Sequence, residues 1–230
     1  MRTAIIGYGR MGQGIARLLG QEHQLLFIVE PNKDLKTSTE VRVFNRISEV
    51  DPSLLNKVDI FFEFTTPDSA FNNIKELIKI RPDSKIICGT TSWDTKELEK
   101  LIENKKASLL ISSNFSIGVK ALKPCLKEIS SSLNKKGFKV ELTDLHHKHK
   151  KDSPSGTAKM LAKIIENEGL VCPIKSIRED EHVGTHTIRF ESDFEIIEIK
   201  HEAKNRDVFC IGAIRSAEWL KDQASGLYFL

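Results

Sequence analysis

The stretch His146-His147-Lys148-His149-Lys150-Lys151-Asp152-Ser153-Pro154-Ser155-Gly156-Thr157 opens with three imidazoles and three ammonium groups in six residues. Like charges at that density repel one another unless an anion or solvent neutralises them. Histidine changes charge near neutral pH, so one of His146 and His147 suits general acid catalysis. Lys150 offers a point charge to a carboxylate. The Pro154-Ser155-Gly156-Thr157 end reads as a helix start, whose first amides have no partner inside the helix and suit a second carboxylate. The chemistry implied is proton donation to a small dicarboxylate. A solvated basic loop is the plainer alternative. A zinc site is not implied, because neither a cysteine nor a helical His-x-x-x-His spacing accompanies these histidines.

A second pattern lies near the start of the chain. Gly7-Tyr8-Gly9-Arg10-Met11-Gly12 follows an apolar run and precedes a helical stripe, the context that makes a Gly-x-Gly-x-x-Gly motif informative. The first glycine permits a tight turn, the second lets the backbone approach a pyrophosphate, and the third lets the helix pack close to the sheet. Glu30 ends the second apolar run, where a dinucleotide-binding fold places a carboxylate for the ribose hydroxyls. Glu30 repels a ribose 2′-phosphate and Pro31 offers no donor in compensation. NADH is therefore expected to serve at least as well as NADPH, with Lys33 the only nearby cation able to accommodate the phosphate. Gly89-Thr90-Thr91 and Ser112-Ser113-Asn114-Phe115 also follow apolar runs and are expected to line the nicotinamide half, although each alone is compatible with an ordinary turn.

Both patterns need a scaffold that gathers loops at one edge. Candidate strands over 3–6, 25–29, 58–64, 85–88 and 108–112 alternate with helical stripes: Met11, Ile15, Leu18 and Leu19; Phe71, Ile74, Leu77 and Ile78; Leu98, Leu101 and Ile102. Such alternation predicts a parallel sheet wound with helices, and near-continuous apolar runs predict strands covered on both faces. Asp68 behind Pro67, and Asp94 ahead of Glu97, mark helix starts. From about residue 114 the pattern changes. A helix around 119–133, a strand over 139–142, a polar loop to 155, a helix around 157–167 and strands over 185–190 and 194–201 come first. A helix over 211–220 and an apolar tail over 227–230, placed to rejoin the first sheet, complete the chain. The fold class is α/β: a Rossmann-type parallel sheet domain with a smaller mixed α+β domain. The dinucleotide-binding domain is assigned to 1–113, the substrate-binding and oligomerisation domain to 114–208, and a segment returning to the first domain to 209–230.

The 230 residues are 40% hydrophobic, enough for a substantial core. A net charge of +3 spread over the chain gives no reason to invoke a nucleic-acid or membrane partner. Cys88, Cys125, Cys172 and Cys210 lie far apart without a Cys-x-x-Cys pair, so reduced thiols are expected. No apolar run is long enough to span a bilayer, and the first strand leaves no room for a signal or transit peptide, so a cytoplasmic protein is expected.

Taken together, the motifs resemble those of the 4-hydroxy-tetrahydrodipicolinate reductase (dihydrodipicolinate reductase) family, lysine-pathway enzymes that reduce a cyclic unsaturated imine dicarboxylate with NAD(P)H. The resemblance covers nearly the whole chain. It rests on Gly7 to Gly12, Gly89-Thr90-Thr91, Asn114-Phe115-Ser116-Ile117-Gly118-Val119, the His146 to Thr157 string, Val183-Gly184-Thr185-His186, and Phe209 to Leu220 followed by Gly226-Leu227-Tyr228. It implies that His146 is the proton donor, Lys150 its cationic partner, and His147, Gly156 and Thr157 substrate ligands. It implies cofactor contacts at Gly7 to Gly12, Glu30, Gly89 to Thr91 and Ser112 to Phe115, and a homotetramer built through the second domain's sheet. The chain departs from the family pattern in a glycine loop one residue shorter than in many members, and in Glu63, Asp144 and Ser153 where aspartate, glutamate and alanine are usual. It also has Glu179-Asp180 where glycines are usual. Two other readings are a different NAD(P)-dependent imino- or keto-acid dehydrogenase, which has no need of the 146–157 string, and a non-catalytic dinucleotide-sensing or nucleic-acid-binding module.

Overall fold

The computed structural model describes residues 1–32, 41–90, 95–103 and 105–230, which form two compact units: Met1–Phe115 with Phe209–Leu230, and Ser116–Val208. In the first unit, β1 (Arg2–Ile6), β2 (Gln24–Val29), β3 (Arg42–Phe44), β4 (Ile60–Glu63), β5 (Lys85–Cys88), β6 (Ser108–Ile111) and β11 (Gly226–Phe229) make one seven-stranded sheet in the order β11-β6-β5-β4-β1-β2-β3. Every pairing is parallel. Alternate residues of the strands enter two cores. Ala4, Ile6, Phe27, Val29 and Phe61 pack with α3 (Pro67–Ile80) and α4 (Thr95–Glu103), while Ile5, Ile28, Ile60 and Phe62 pack with α1 (Arg10–Leu18) and α7 (Asp207–Lys221). Coverage of both faces explains the continuous apolar runs. The order reverses between β1 and β4, which opens the crevice at the carboxyl ends of the strands where ligands of such sheets sit.

The apolar tail does rejoin this sheet, since β11 pairs with β6 from Gly226↔Ser108 to Phe229↔Ile111. Three short elements were not anticipated there: β3 at the sheet edge, a single 3-10 turn over Ile47–Glu49, and α2 (Pro52–Leu55), capped by the Asp51 carboxylate on Ser53 N at 2.7 Å. Pro67 stands at the start of α3 with Asp68 in its first turn. Asp94 lies outside the described residues. All four cysteines are free thiols, three of them buried.

In the second unit, β7 (Lys139–His146), β8 (Ile174–Arg178), β9 (Thr185–Glu191) and β10 (Ile196–Glu202) form a sheet ordered β10-β9-β7-β8, with β7 and β8 parallel and the other pairs antiparallel. Helices α5 (Ile117–Leu133) and α6 (Gly156–Asn167) close one face over Val140, Leu142, Ile188 and Phe190. The structure corrects the expected strand over 139–142: β7 runs four residues further, to His146. Its inward positions read Val140, Leu142, Asp144, His146, so the alternation continues while the buried residues turn from apolar to ionisable. An apolar-only pattern search stops at Leu142 for that reason. Strand β8, also unanticipated, supplies Arg178 opposite His146. Among the described residues, no helix is long and apolar enough to cross a membrane.

Candidate active site

The sheet register of the second unit sets a polar row directly beyond the apolar rows. Val140 faces Phe190 and Phe190 faces Ile197; Leu142 faces Ile188 and Ile188 faces Ile199. Two residues on, Asp144 faces His186 and His186 faces His201. Strand periodicity of two makes this row inescapable once the apolar rows are buried. Two helix starts cap the row. Ser116 Oγ, the N-cap of α5, lies 3.0 Å from His201 Nε2 and accepts from Val119 N. Ser155, the N-cap of α6, accepts from Ala158 N and donates its own hydroxyl to Asp144 Oδ1 at 2.7 Å.

Asp144 is fully buried and holds the cluster together. Oδ1 is met at 3.0 Å by His146 Nδ1, at 3.3 Å by His186 Nε2 and by the Ser155 hydroxyl. Oδ2 accepts from Ser155 N and from Arg178 Nη2, both at 2.9 Å. Burial works to raise this carboxyl, but the contacts of His146, His186 and Ser155 outweigh it and hold it well below the usual carboxylate range. One carboxylate and two imidazoles are donor types that divalent metals use. With Arg178 on one oxygen and Ser155 on both, the charge of Asp144 is met from within the protein and the cluster needs no cation.

His146 is buried at the end of β7 with its Nδ1 edge on Asp144 and its Nε2 edge beside Gly184. A Cβ at position 184 would stand 2.8 Å from Nε2, so glycine there leaves that nitrogen its space. His147 Nε2 accepts from Arg206 Nη2 at 3.1 Å. Burial and then Arg206 lower the pKa of His147, which places its ring proton on Nδ1, a buried atom with no protein partner. Lys150 Nζ is paired with Asp152 at 2.8 Å, and Arg178 Nη2 donates to Asp152 O at 2.8 Å, so the basic loop is tied back to the sheet. Asp180 adopts φ +47, the left-handed conformation that glycine takes freely.

In the first unit a cavity of about 450 Å³ lies at the carboxyl ends of β1, β2 and β4, lined by Gly7, Gly9, Glu30, Arg46, Thr65 and others. Gly7 takes φ +90, and a Cβ on Gly12 would stand 2.2 Å from Gly7 O. A Cβ on Gly9 would meet nothing within 4 Å, and α1 begins there without a side-chain cap. The turn thus presents bare amides, as a phosphate requires. Both Glu30 oxygens accept backbone amides, Tyr8 N at 2.8 Å and Asn32 N at 2.9 Å, which aims the carboxylate at the glycine turn.

The remaining expected cofactor residues divide. Arg10 is exposed at the start of α1; Tyr8 and Phe115 bury their side chains in the apolar core, leaving their backbones to a ligand, and Met11, half-buried, packs against that core. Gly89, Thr90, Ser112, Ser113 and Asn114 form the turns after β5 and β6, on the same edge of the sheet. Thr90 Oγ1 donates to Thr65 O and Glu63, and Ser112 Oγ donates to Asn114 O. Thr91 and Lys33 lie outside the described residues. The view that Lys33 is the only cation near the ribose end is corrected: Arg46, after β3, lines the cavity with Glu30. It was missed because β3 itself was. Arg178 and Arg206 were missed too, since an arginine without a neighbouring motif carries no signal in sequence.

Comparisons with known proteins follow the same division. The family model for the N-terminal part of dihydrodipicolinate reductase matches residues 1–115 and that for its C-terminal part matches residues 118–230. The 4-hydroxy-tetrahydrodipicolinate reductase of Christiangramia forsetii is 32% identical over 241 residues, covering 97% of this chain and 93% of the relative. That of Rickettsia rickettsii is 36% identical over 217 residues, covering 87% and 88%. Among solved structures, a dipicolinate-bound dihydrodipicolinate reductase from Paenisporosarcina sp. TG-14 superposes with a TM-score of 0.80 at 24% identity, covering 100% of this chain and 97% of that one. An aspartate dehydrogenase from Thermotoga maritima shares the fold at a TM-score of 0.57 and 15% identity, covering 97% of each chain.

Proposed function

The chain belongs to the dihydrodipicolinate reductase family, and from that premise we propose how its residues divide the work. It is an NAD(P)H-dependent oxidoreductase that reduces the cyclic imine dicarboxylate 4-hydroxy-tetrahydrodipicolinate to tetrahydrodipicolinate in lysine and diaminopimelate biosynthesis. The dinucleotide belongs to the first unit, at Gly7, Tyr8, Gly9, Arg10, Met11, Gly12 and Glu30, with the turns Gly89 to Thr91 and Ser112 to Phe115 toward the nicotinamide. Bare amides at Gly9 and the uncapped start of α1 fit that group. When bound, the reduced nicotinamide supplies the hydride.

The reaction also needs a proton, and His146 gives it. The observation that carries this role is a buried imidazole with Nδ1 3.0 Å from the Asp144 carboxylate and Nε2 kept clear by Gly184. Lys150 exchanges its Asp152 partner for one substrate carboxylate, and the first turn of α6 at Gly156 and Thr157 receives the other through the helix dipole. His147, neutral against Arg206, presents its Nδ1 proton to a substrate oxygen. NADH is used at least as well as NADPH because Glu30 stands at the ribose end, and Arg46 is the cation that admits the 2′-phosphate. The enzyme acts in the cytoplasm as a homotetramer, with no nucleic-acid or membrane partner.

A coupled assay tests these roles: the substrate is generated by its synthase and oxidation of NADH and NADPH is followed. His146→Ala is expected to lower kcat by about 10²- to 10⁴-fold with little change in KM. Lys150→Ala is expected to damage both constants. Arg46→Ala is expected to weaken NADPH, in kcat/KM and in direct binding by fluorescence titration, while sparing NADH. Full kcat in His146→Ala would remove the proton-donor assignment, and equal losses with both cofactors in Arg46→Ala would remove that of Arg46.

A further inference from the structure

We infer that Asp144 and Arg178 are positioning residues for the reduction: the Asp144 carboxylate, held by Arg178 and Ser155, fixes together the place of His146, the start of α6 and the loop that bears Lys150. This rests on His146 being the proton donor. Asp144 Oδ1 stands 3.0 Å from His146 Nδ1, at ion-pair distance though outside hydrogen-bond geometry, and the Nε2 edge of the ring is kept clear by Gly184.

The same carboxylate also receives Ser155 N and the Ser155 hydroxyl, and so fixes the start of α6, to which a substrate carboxylate is assigned. Arg178 joins the arrangement at a third point. Its Nη2 bridges Asp144 Oδ2 and Asp152 O, and its Nη1 donates to Asp144 O. Proton donor, helix start and the loop bearing Lys150 are thus referred to one buried carboxylate. A displaced Asp144 disturbs all three together.

Several charged or titratable groups surround His146. Asp144 comes from its own strand, His147 directly follows that strand, Arg178 comes from β8, and His186 from β9 with its ring 5.4 Å away at 72°. His201 of β10 stacks on His186 at 6.1 Å, Lys150 and Asp152 lie on the following loop, and Glu179 donates its amide to His146 O. Asp144 is the one carboxylate among the described residues in ion-pair contact with His146. His186 Nε2 lies 3.3 Å from the same carboxylate oxygen, so both rings are placed against one anchor.

The prediction is a split between kcat and KM. Asp144→Asn, which keeps the shape and removes the charge that Ser155 and Arg178 hold, is expected to lower kcat on the order of 10- to 100-fold. It is also expected to raise KM for the dicarboxylate, because proton donor and helix start are displaced together. Asp144→Glu is expected to restore a large part of both. Arg178→Gln is expected to raise KM more than it lowers kcat, because it releases Asp152 and the loop that bears Lys150 while Ser155 still holds Asp144. Unchanged constants in Asp144→Asn, or no rescue by Asp144→Glu, would overturn the inference. An intact kcat in His146→Gln would instead remove the proton-donor reading beneath it.

Discussion

At the scale of single residues, two buried carboxylates illustrate opposite solutions to burial. Asp144 keeps its charge because Arg178, His146, His186 and Ser155 converge on it. Glu63, fully buried at the end of β4, is met by the hydroxyls of Thr65 and Thr90 and the amide of Asn73, with no cation among the described residues in ion-pair contact with it. Desolvation therefore prevails over those hydrogen bonds and raises its pKa above 4.5. The folded state then binds the proton more tightly than the unfolded chain, so the contribution to stability is full below 4.5 and is lost as pH rises through the folded value. Glu63→Gln removes that titration. The Tm difference between variant and wild type is expected to change in favour of wild type as pH falls from 7 toward 4.5; a difference constant with pH would show that Glu63 titrates alike in both states. The sequence marks Glu63 only as a departure in size from a usual aspartate. Its network joins residues as far apart as Glu63 and Thr90, which no local pattern reports.

At the scale of elements, the ends of helices and strands carry the specificity. Lys85, the first residue of β5, donates from Nζ to the carbonyls of Leu220, Lys221 and Gln223, so it closes the last turn of α7 and ties it to the sheet. The last carbonyls of a helix lack partners within it, and here Leu220 O is met also by Gln223 N at 3.1 Å. Lys85→Met keeps the stem and removes the donors, and is expected to cost about 1–3 kcal/mol in denaturant unfolding. An unchanged midpoint would mean that water replaces the ammonium without loss. Elements with strong apolar periodicity, such as β1, β2, α1 and α3, were legible from the chain alone. β3 and β8 were not, because edge strands need no continuous apolar run and Arg42–Phe44 and Ile174–Arg178 mix charge with short apolar residues. The upper half of β7 escaped for a third reason, since its buried positions are Asp144 and His146.

At the scale of the whole molecule, the second unit's sheet has helices over one face, while its other face carries Glu141, Arg189, Glu198 and Lys200 with no helix upon it among the described residues. A tetramer formed through that face is the assembly proposed, and light scattering on a sizing column is expected to return four times the 26.0 kDa chain mass. A monomer mass at micromolar concentration would refute it. The amino-acid sequence by itself determined the α/β class, the glycine turn with Glu30, the basic string from His146 to Thr157 and the family they resemble. These signals are local: each lies in a short window whose residue types have one dominant physical use. Only the tertiary structure decided that Asp144, His186 and His201 form one row, that Arg178 and Arg206 turn toward the histidines, and that Arg46 shares a cavity with Glu30. Those relations depend on strand register and on edge strands pairing across long stretches of chain, and register is set by the packing of the whole sheet.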